Sequence, residues 1–428
     1  LNGCFLSWPV CNIINNDSLE EQFLSNLPAQ NQRVLSGMRP TGLLHLGHYH
    51  GVLKNWVNLQ NEFECFFFVA DWHALTTHYD DPSIIAESTH NMVVDWLAAG
   101  VSPGAAKVFI QSRVPEHAEL HLLLSMITPL SWLERVPSYK DQQEALREKD
   151  LATYGFLGYP LLQSADILVY KAGRVPVGED QVAHVELTRE VARRFNHLYG
   201  KEPGFEEKAA AAISKMGKKN AKLYKELRKQ YTEQGDQKAL EVAHALLESQ
   251  KNISVGDRER LFGYLEGSGR IILPEPQALL TPAAKMPGLD GRKMSKSYNN
   301  TIALRDAPDD IVKKLRTMPT DPARVRRTDP GNPEKCPVWQ LHRIYSDDET
   351  RDWVQQGCQS AGIGCVECKQ PIIDAVIAEL KPIRERAKEY IDDPAAVLAI
   401  IDEGCEVARD VARDTLEEVR RAMGLSRR

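Results

Sequence analysis

The 428-residue sequence contains no run of ~20 apolar residues, so no helical membrane span is expected. It has no internal repeat, which argues against solenoid and propeller architectures. It also lacks a positive excess: 53 Lys+Arg face 59 Asp+Glu, a net charge of −6. That balance argues against non-specific coating of nucleic acid but leaves room for a local basic site. Residues 1–14 are apolar but lack a basic n-region and carry Pro9, so they read as an extension rather than a signal peptide. Cysteine is scarce and uneven: of eight, Cys4 and Cys11 lie in the leader, Cys65 in an apolar run, Cys405 in a helix-like tail, and four between 336 and 368. A small secreted disulfide scaffold would spread its cysteines. This pattern fits a reduced, cytoplasmic protein with one metal or cluster site. What is present, 43% hydrophobic and 26% charged residues, is the balance of a globular chain. At roughly 150 residues per domain, the length allows two or three domains.

From Arg33 to about Tyr199, short apolar runs alternate with amphipathic stretches. Cys65–Ala70 and Val108–Ile110 have the length of buried strands, and Ile84–Ala99 has helical periodicity ending at Gly100. Strand–helix–strand alternation predicts an α/β fold, a Rossmann-type parallel sheet covered on both faces, with ligands at the carboxyl ends of its strands. The predicted organisation is an N-terminal extension (1–32), an α/β domain (33–202), a helical insertion (203–272), a return to the α/β domain (273–305) and a mostly helical C-terminal domain (306–428). The last helix is expected over Glu406–Met423. Between Lys208 and Lys229 stand eight Lys/Arg and one acid, Glu226. They fit a solvated helical hairpin or a basic face that touches RNA.

Two constellations carry chemistry. The first is Ser36-Gly37-Met38-Arg39-Pro40-Thr41-Gly42-Leu43-Leu44-His45-Leu46-Gly47-His48, which follows a strand and opens a helix. It puts two imidazoles on one side of a helix start, where unpaired N–H groups attract phosphate. Gly47 removes a side chain that would block a base or ribose. The second is Lys293-Met294-Ser295-Lys296-Ser297. Two ammonium groups on a loop can clamp outer phosphates and tighten as charge moves onto a leaving pyrophosphate.

In this order, on a parallel α/β sheet, the two resemble the HIGH and KMSKS signatures of class I aminoacyl-tRNA synthetases. Three further stretches are similar to tryptophanyl-tRNA synthetases: Asp71-Trp72-His73-Ala74-Leu75-Thr76, Tyr159-Pro160-Leu161-Leu162-Gln163-Ser164-Ala165-Asp166-Ile167-Leu168, and Val175-Pro176-Val177-Gly178-Glu179-Asp180-Gln181. The resemblance covers nearly the whole chain from Arg33. It implies ATP-dependent ligation of L-tryptophan to tRNA(Trp) through an adenylate, with Mg²⁺ and a homodimer. It places His45, His48, Lys293 and Lys296 in catalysis, and Arg39, Pro40, Thr41, Gly47, Met294, Ser295 and Ser297 around ATP. Gly178, Glu179 and Asp180 fall near its ribose and adenine. Asp166 would accept the indole N–H, with His73 and Gln163 facing the amino-acid pocket, Val175 and Val177 against the ring, and Gln181 near the amino group. A buried acceptor reading the only polar atom of indole selects strongly, because an analogue without it leaves the acceptor unpaired. Tyrosine is the competing substrate. Leu35, Arg39 and Gln163 depart from the family's usual Phe, Gln and Met.

Cys336, Cys358, Cys365 and Cys368 could hold tetrahedral Zn²⁺ or a [4Fe–4S] cluster, and spacing alone does not choose. The resemblance favours [4Fe–4S], since a subset of bacterial-type tryptophanyl enzymes carries this pattern with a first gap one residue longer. There the site lies near the anticodon-binding surface, which implies that Arg324, Arg326 and Arg327 meet tRNA. A catalytically silent RNA-binding paralogue and a simple nucleotidyltransferase are the alternatives. The first predicts the loss of one nucleotide motif, and the second leaves the lysine loop and the cysteines unexplained.

Overall fold

The computed structural model describes residues 33–137, 153–200, 204–267, 269–280 and 286–425. The extension expected over 1–32 lies outside them. In chain order the first elements are β1 (Arg33–Met38), β2 (Glu64–Val69), α1 (Asp71–His78), α2 (Ser83–Ala99), β3 (Ala106–Ile110), α3 (Glu116–Ser125), α4 (Tyr154–Val169), β4 (Arg174–Val177) and α5 (Val182–Tyr199). Four helices follow, α6 (Phe205–Lys215), α7 (Lys218–Gln234), α8 (Gln237–Glu248) and α9 (Val255–Leu265), and then β5 (Gln277–Leu280). The remainder is helical: α10 (Pro308–Thr317), α11 (Pro337–Tyr345), α12 (Asp348–Gln359), α13 (Cys365–Asp392) and α14 (Pro394–Ala422). No helix among the described residues is long and apolar enough to cross a membrane.

The strands form one parallel sheet in the order β3-β2-β1-β4-β5. Every residue of β2 from Cys65 to Val69 is buried, as a strand covered on both faces requires. Trp56 stacks on Phe67 at 4.2 Å and meets Trp96 of α2 edge-on at 5.0 Å, so β2 is sealed by aromatic packing. Helix α2 ends where expected, at Gly100, whose φ of 115° most residues avoid. From β1 the chain winds outward to β2 and β3, then returns to build β4 and β5 on the other side. That reversal opens a crevice at the carboxyl ends of β1 and β4.

The chain divides into two compact units. One includes Asn196–Ile272; the other is Arg33–Phe195 with the chain from Leu273 onward. The first is closed by its own core, in which Ala212, Ile213, Tyr224, Leu247, Leu261 and Leu265 are buried and Tyr224 donates to the Leu261 carbonyl at 2.6 Å. In the second, the C-terminal helices lie directly on the sheet. Helix α13 packs on α2, and α14 covers the free edge of β3, where the Ile110 N–H meets the Cys405 thiol. Gly404 permits this approach, because a Cβ there would stand 1.9 Å from the Val108 carbonyl oxygen. Helix α14 begins well before the expected Glu406, because Asp393 caps it by accepting from the Ala396 N–H and Pro394 occupies its first turn.

Candidate active site

The first motif fills the carboxyl end of β1. Gly37 is forced by β2, since a Cβ there would lie 2.6 Å from the Phe68 ring. Arg39 is exposed and Pro40 buried. The turn through Thr41 and Gly42 is tied to α2 by the Gly42 N–H, which donates to Ser88 Oγ at 2.9 Å, and by the Leu44 N–H, which donates to Asp95 Oδ2 at 3.3 Å. His45 then caps the short helix Leu46–His48 reciprocally. Its Nδ1 accepts from the Gly47 N–H at 3.1 Å, while His48 Nδ1 accepts from the His45 N–H at 3.2 Å. A neutral imidazole that accepts through Nδ1 carries its proton on Nε2, so both rings offer an N–H donor. They are held neutral. Burial, then the nearby Lys296, bring His45 down to about 4. Burial, His45, Lys296 and Lys293 bring His48 to about 2.

The second motif lies against the first. Its loop is pinned by Asn300, which accepts from the Ser295 N–H at 2.8 Å and donates to Asp290 at 2.6 Å. The Lys296 ammonium donates to the carbonyls of Thr41 at 3.1 Å and Gly42 at 2.8 Å. Burial lowers the Lys296 pKa to about 8, against the opposing pull of Asp95. Buried Met294 packs beside Gly47. Beyond the loop, the chain straps onto the first motif: the Leu46 N–H donates to the Ile302 carbonyl and the Leu304 N–H to that of Leu44, both at 3.0 Å. Arg305 closes the strap with an ion pair to Asp95 at 2.8 Å. Lys293 and Ser297 remain exposed, and Ser295 Oγ bonds Ser297 Oγ at 2.9 Å.

Asp166, on α4, is 1% exposed and charged among donors. Its Oδ1 accepts from Gln111 at 2.8 Å and pairs with His117 Nδ1 at 2.7 Å, and its Oδ2 pairs with His73 Nε2 at 2.8 Å. Burial pushes its pKa up, but the bonds from His117 and His73 outweigh it and hold the carboxyl well below its usual range. Three of roughly four acceptor positions are therefore filled, and a further donor must approach Oδ2 alongside His73. His117 Nε2 continues to the Tyr170 hydroxyl at 2.7 Å. Gln163 stands one turn earlier on α4, half-buried. Val175 and Val177 are buried on β4, the strand whose carboxyl end carries Gly178. Glu179 and Asp180 are exposed, and Gln181 Nε2 donates to Asp180 at 3.0 Å.

Residues that sequence patterns did not flag complete this centre. Asp95 is the polar residue in the otherwise apolar stripe Val93–Leu97, the one available signal for it. Gln111, His117 and Arg305 are scattered, and nothing local marks them.

The cysteine region differs from expectation at Arg324 and in the arrangement of its thiols. Arg326 and Arg327 are exposed, with Arg327 paired to Glu367 at 3.3 Å, but Arg324 turns inward. Its guanidinium donates to the carbonyls of Ile363 and Arg327 and approaches Cys358 Sγ at 3.8 Å, so it braces the loop instead of facing a partner. Cys336, Cys358, Cys365 and Cys368 are free thiols. No group of three or more His, Cys, Asp or Glu side chains among the described residues is arranged to hold a metal ion. The four still share one neighbourhood: burial, and then the charges of the other three, raise Cys368 to about 12. His342 Nε2 lies 3.4 Å from its sulfur.

A sequence-family model described as tRNA synthetases class I (W and Y) matches residues 28–220 and 236–381. The chain therefore belongs to the class I tRNA synthetases that serve tryptophan and tyrosine. Its curated relatives include the tryptophan–tRNA ligase of Ralstonia nicotianae, 69% identical over 92% of this chain and 99% of that protein. That of Thermotoga maritima is 46% identical over the same shares. The tryptophanyl-tRNA synthetase of Campylobacter jejuni, solved with ADP and tryptophan, superimposes with a TM-score of 0.68 at 27% identity, over 92% of this chain and 100% of that one.

Proposed function

We infer that the protein ligates L-tryptophan to tRNA(Trp) with ATP, releasing AMP and pyrophosphate. The observation that carries this is the contact of the Lys296 ammonium with Thr41 and Gly42, which makes one site of two distant motifs. The tryptophan carboxylate attacks the α-phosphate in line and expels pyrophosphate; the terminal ribose hydroxyl of tRNA then attacks the adenylate carbonyl and AMP leaves. The protein supplies position and charge, with no covalent intermediate. His45 and His48 direct Nε2–H groups at phosphoryl oxygens. Lys296 exchanges its two carbonyl partners for the outer phosphates, joined by Lys293 and, around the nucleotide, by Arg39, Pro40, Thr41, Gly47, Met294, Ser295 and Ser297. Gly178, Glu179 and Asp180 hold ribose and adenine, and Mg²⁺ neutralises phosphate charge when bound. Asp166 receives the indole N–H with His73 and Gln163 beside it, Val175 and Val177 flank the ring, and Gln181 meets the amino group. Lys296→Ala should lower tryptophan-dependent pyrophosphate exchange by about 100-fold or more while leaving tryptophan affinity unchanged; an unaltered exchange rate rules out this role.

The cysteine site is proposed to hold [4Fe–4S], or Zn²⁺ as the alternative, through Cys336, Cys358, Cys365 and Cys368. Four clustered thiols are a soft donor set suited to either. The group orders the loop that carries Arg326 and Arg327 toward tRNA, with Arg324 bracing it from within. Anaerobically purified protein should be brown with about four irons per chain; colourless protein with stoichiometric zinc supports the alternative. A homodimer is supported by exposed Leu122, Met126, Leu130 and Tyr154, each more than half accessible, and sedimentation at the monomer mass would remove it.

A further inference from the structure

Helix α7 has two unlike faces. Tyr224 and Leu227 point into the core of the Asn196–Ile272 unit. On its outer side Lys218, Lys222, Lys225 and Lys229 recur at steps of four, three and four, with Lys219 beside them, and all five are exposed. That spacing aligns the ammonium groups along one stripe with about 5–6 Å between neighbours. At 1.5 Å per residue the stripe runs for about 16 Å. The stripe costs folding energy. Like charges one turn apart repel, and the first turn carries Lys218 and Lys219 with no acid, against the helix dipole. The offset along the helix is small: Glu226 is the one acid between Lys218 and Lys229. Among the described residues, the one ion pair on the stripe is Lys229 with Glu233 at 3.9 Å. The family model passes over residues 221–235, which carry Lys222, Lys225 and Lys229, while Lys218 and Lys219 lie in its matched part, in a chain whose net charge is −6.

We propose that the lysine face of α7 binds the phosphate backbone of RNA, and that its occupant is the tRNA substrate. One strand of a duplex presents a phosphate about every 3.4 Å of axis, so a 16 Å stripe spans about as many phosphates as it has lysines. A membrane surface fits less well, because the apolar face such a helix would insert is already used in the core. An acidic protein fits less well too, since lysine is depleted at protein interfaces and, among the described residues, no aromatic on α7 is exposed. The identity of the RNA rests on the ligase reading above; the phosphate-binding character of the face does not.

The test uses the full chain with Lys218→Gln, Lys222→Gln, Lys225→Gln and Lys229→Gln combined, beside the matching quadruple Arg variant. Binding of tRNA is followed as a function of salt, and tryptophan-dependent pyrophosphate exchange, which needs no tRNA, is measured in parallel. The Gln variant should bind tRNA at least about 10-fold more weakly, with the slope of log affinity against log salt reduced by about three. Its exchange rate should be unchanged, and the Arg variant should behave as the parent does. Unchanged tRNA affinity and salt slope in the Gln variant overturn the proposal and leave an acidic protein as the face's partner. Absence of exchange in the parent chain strikes the ligase reading alone, because the salt slope still decides the surface.

Discussion

Lys296 holds a charge that its surroundings make conditional. With burial bringing its pKa to about 8, the ammonium is present below that pH and lost as pH rises through it. The rate with limiting ATP, which reports the free enzyme, should therefore fall above about pH 8. Lys296→Arg, always charged, should move that alkaline limb upward even if it lowers the plateau; an unmoved limb would assign it to another group. The histidines act in the opposite direction. His45, His184 and His342 are each lowered to about 4 from 6.5, chiefly by burial. The unfolded chain takes up protons below 6.5 that the folded one refuses, so these groups favour folding fully above pH 6.5 and less as pH falls toward 4. At this scale, legibility in the sequence was uneven. His45, His48 and Lys296 announce themselves by clustering with glycine and lysine. Asp166 is signalled by an acid inside an apolar run, but its ring of His73, Gln111 and His117 comes from three separate elements. Arg324 looked like its exposed neighbours, Arg326 and Arg327; only the fold shows that it faces the sulfur of Cys358 and backbone carbonyls.

Elements meet in this protein through a few buried polar ties. Asp95 of α2 receives the first motif through Leu44 and the strap after the lysine loop through Arg305. Burial raises its pKa to about 6 despite Arg305; without Asp95 the Leu44 N–H loses its acceptor and Arg305 keeps Asn91, at 2.9 Å. Asp95→Ala should lower stability by about 3 kcal/mol and raise the KM for ATP, because the loop and the histidine turn lose a common anchor. A thermal midpoint and KM both equal to the parent's would show that the strap holds without it. The sequence exposes elements better than ties. β2 is readable as five consecutive buried residues, and α2 by its period and its terminal glycine. Asp95 and Arg305 lie too far apart in the chain for any local pattern to pair them.

At the scale of the whole molecule, the sheet and the C-terminal helices share one compact unit. Gly404 is a point of close approach, with the Val108 carbonyl in the space that a methyl would take. Gly404→Ala should force α14 away from β3 and cost about 3 kcal/mol, read as one cooperative transition at lower temperature. Separate melting of tail and sheet would show that they are independent. The parallel sheet was legible from alternation alone. The position of α14 was not, because a helix on a strand edge leaves the same period in sequence as a helix in a bundle. This arrangement also has a consequence for biosynthesis. Strand β3 leaves the ribosome long before α14 exists, so an exposed sheet border must wait until that helix emerges. A nascent or truncated chain lacking α14 would offer that border to its neighbours, an association hazard built into the order of the elements.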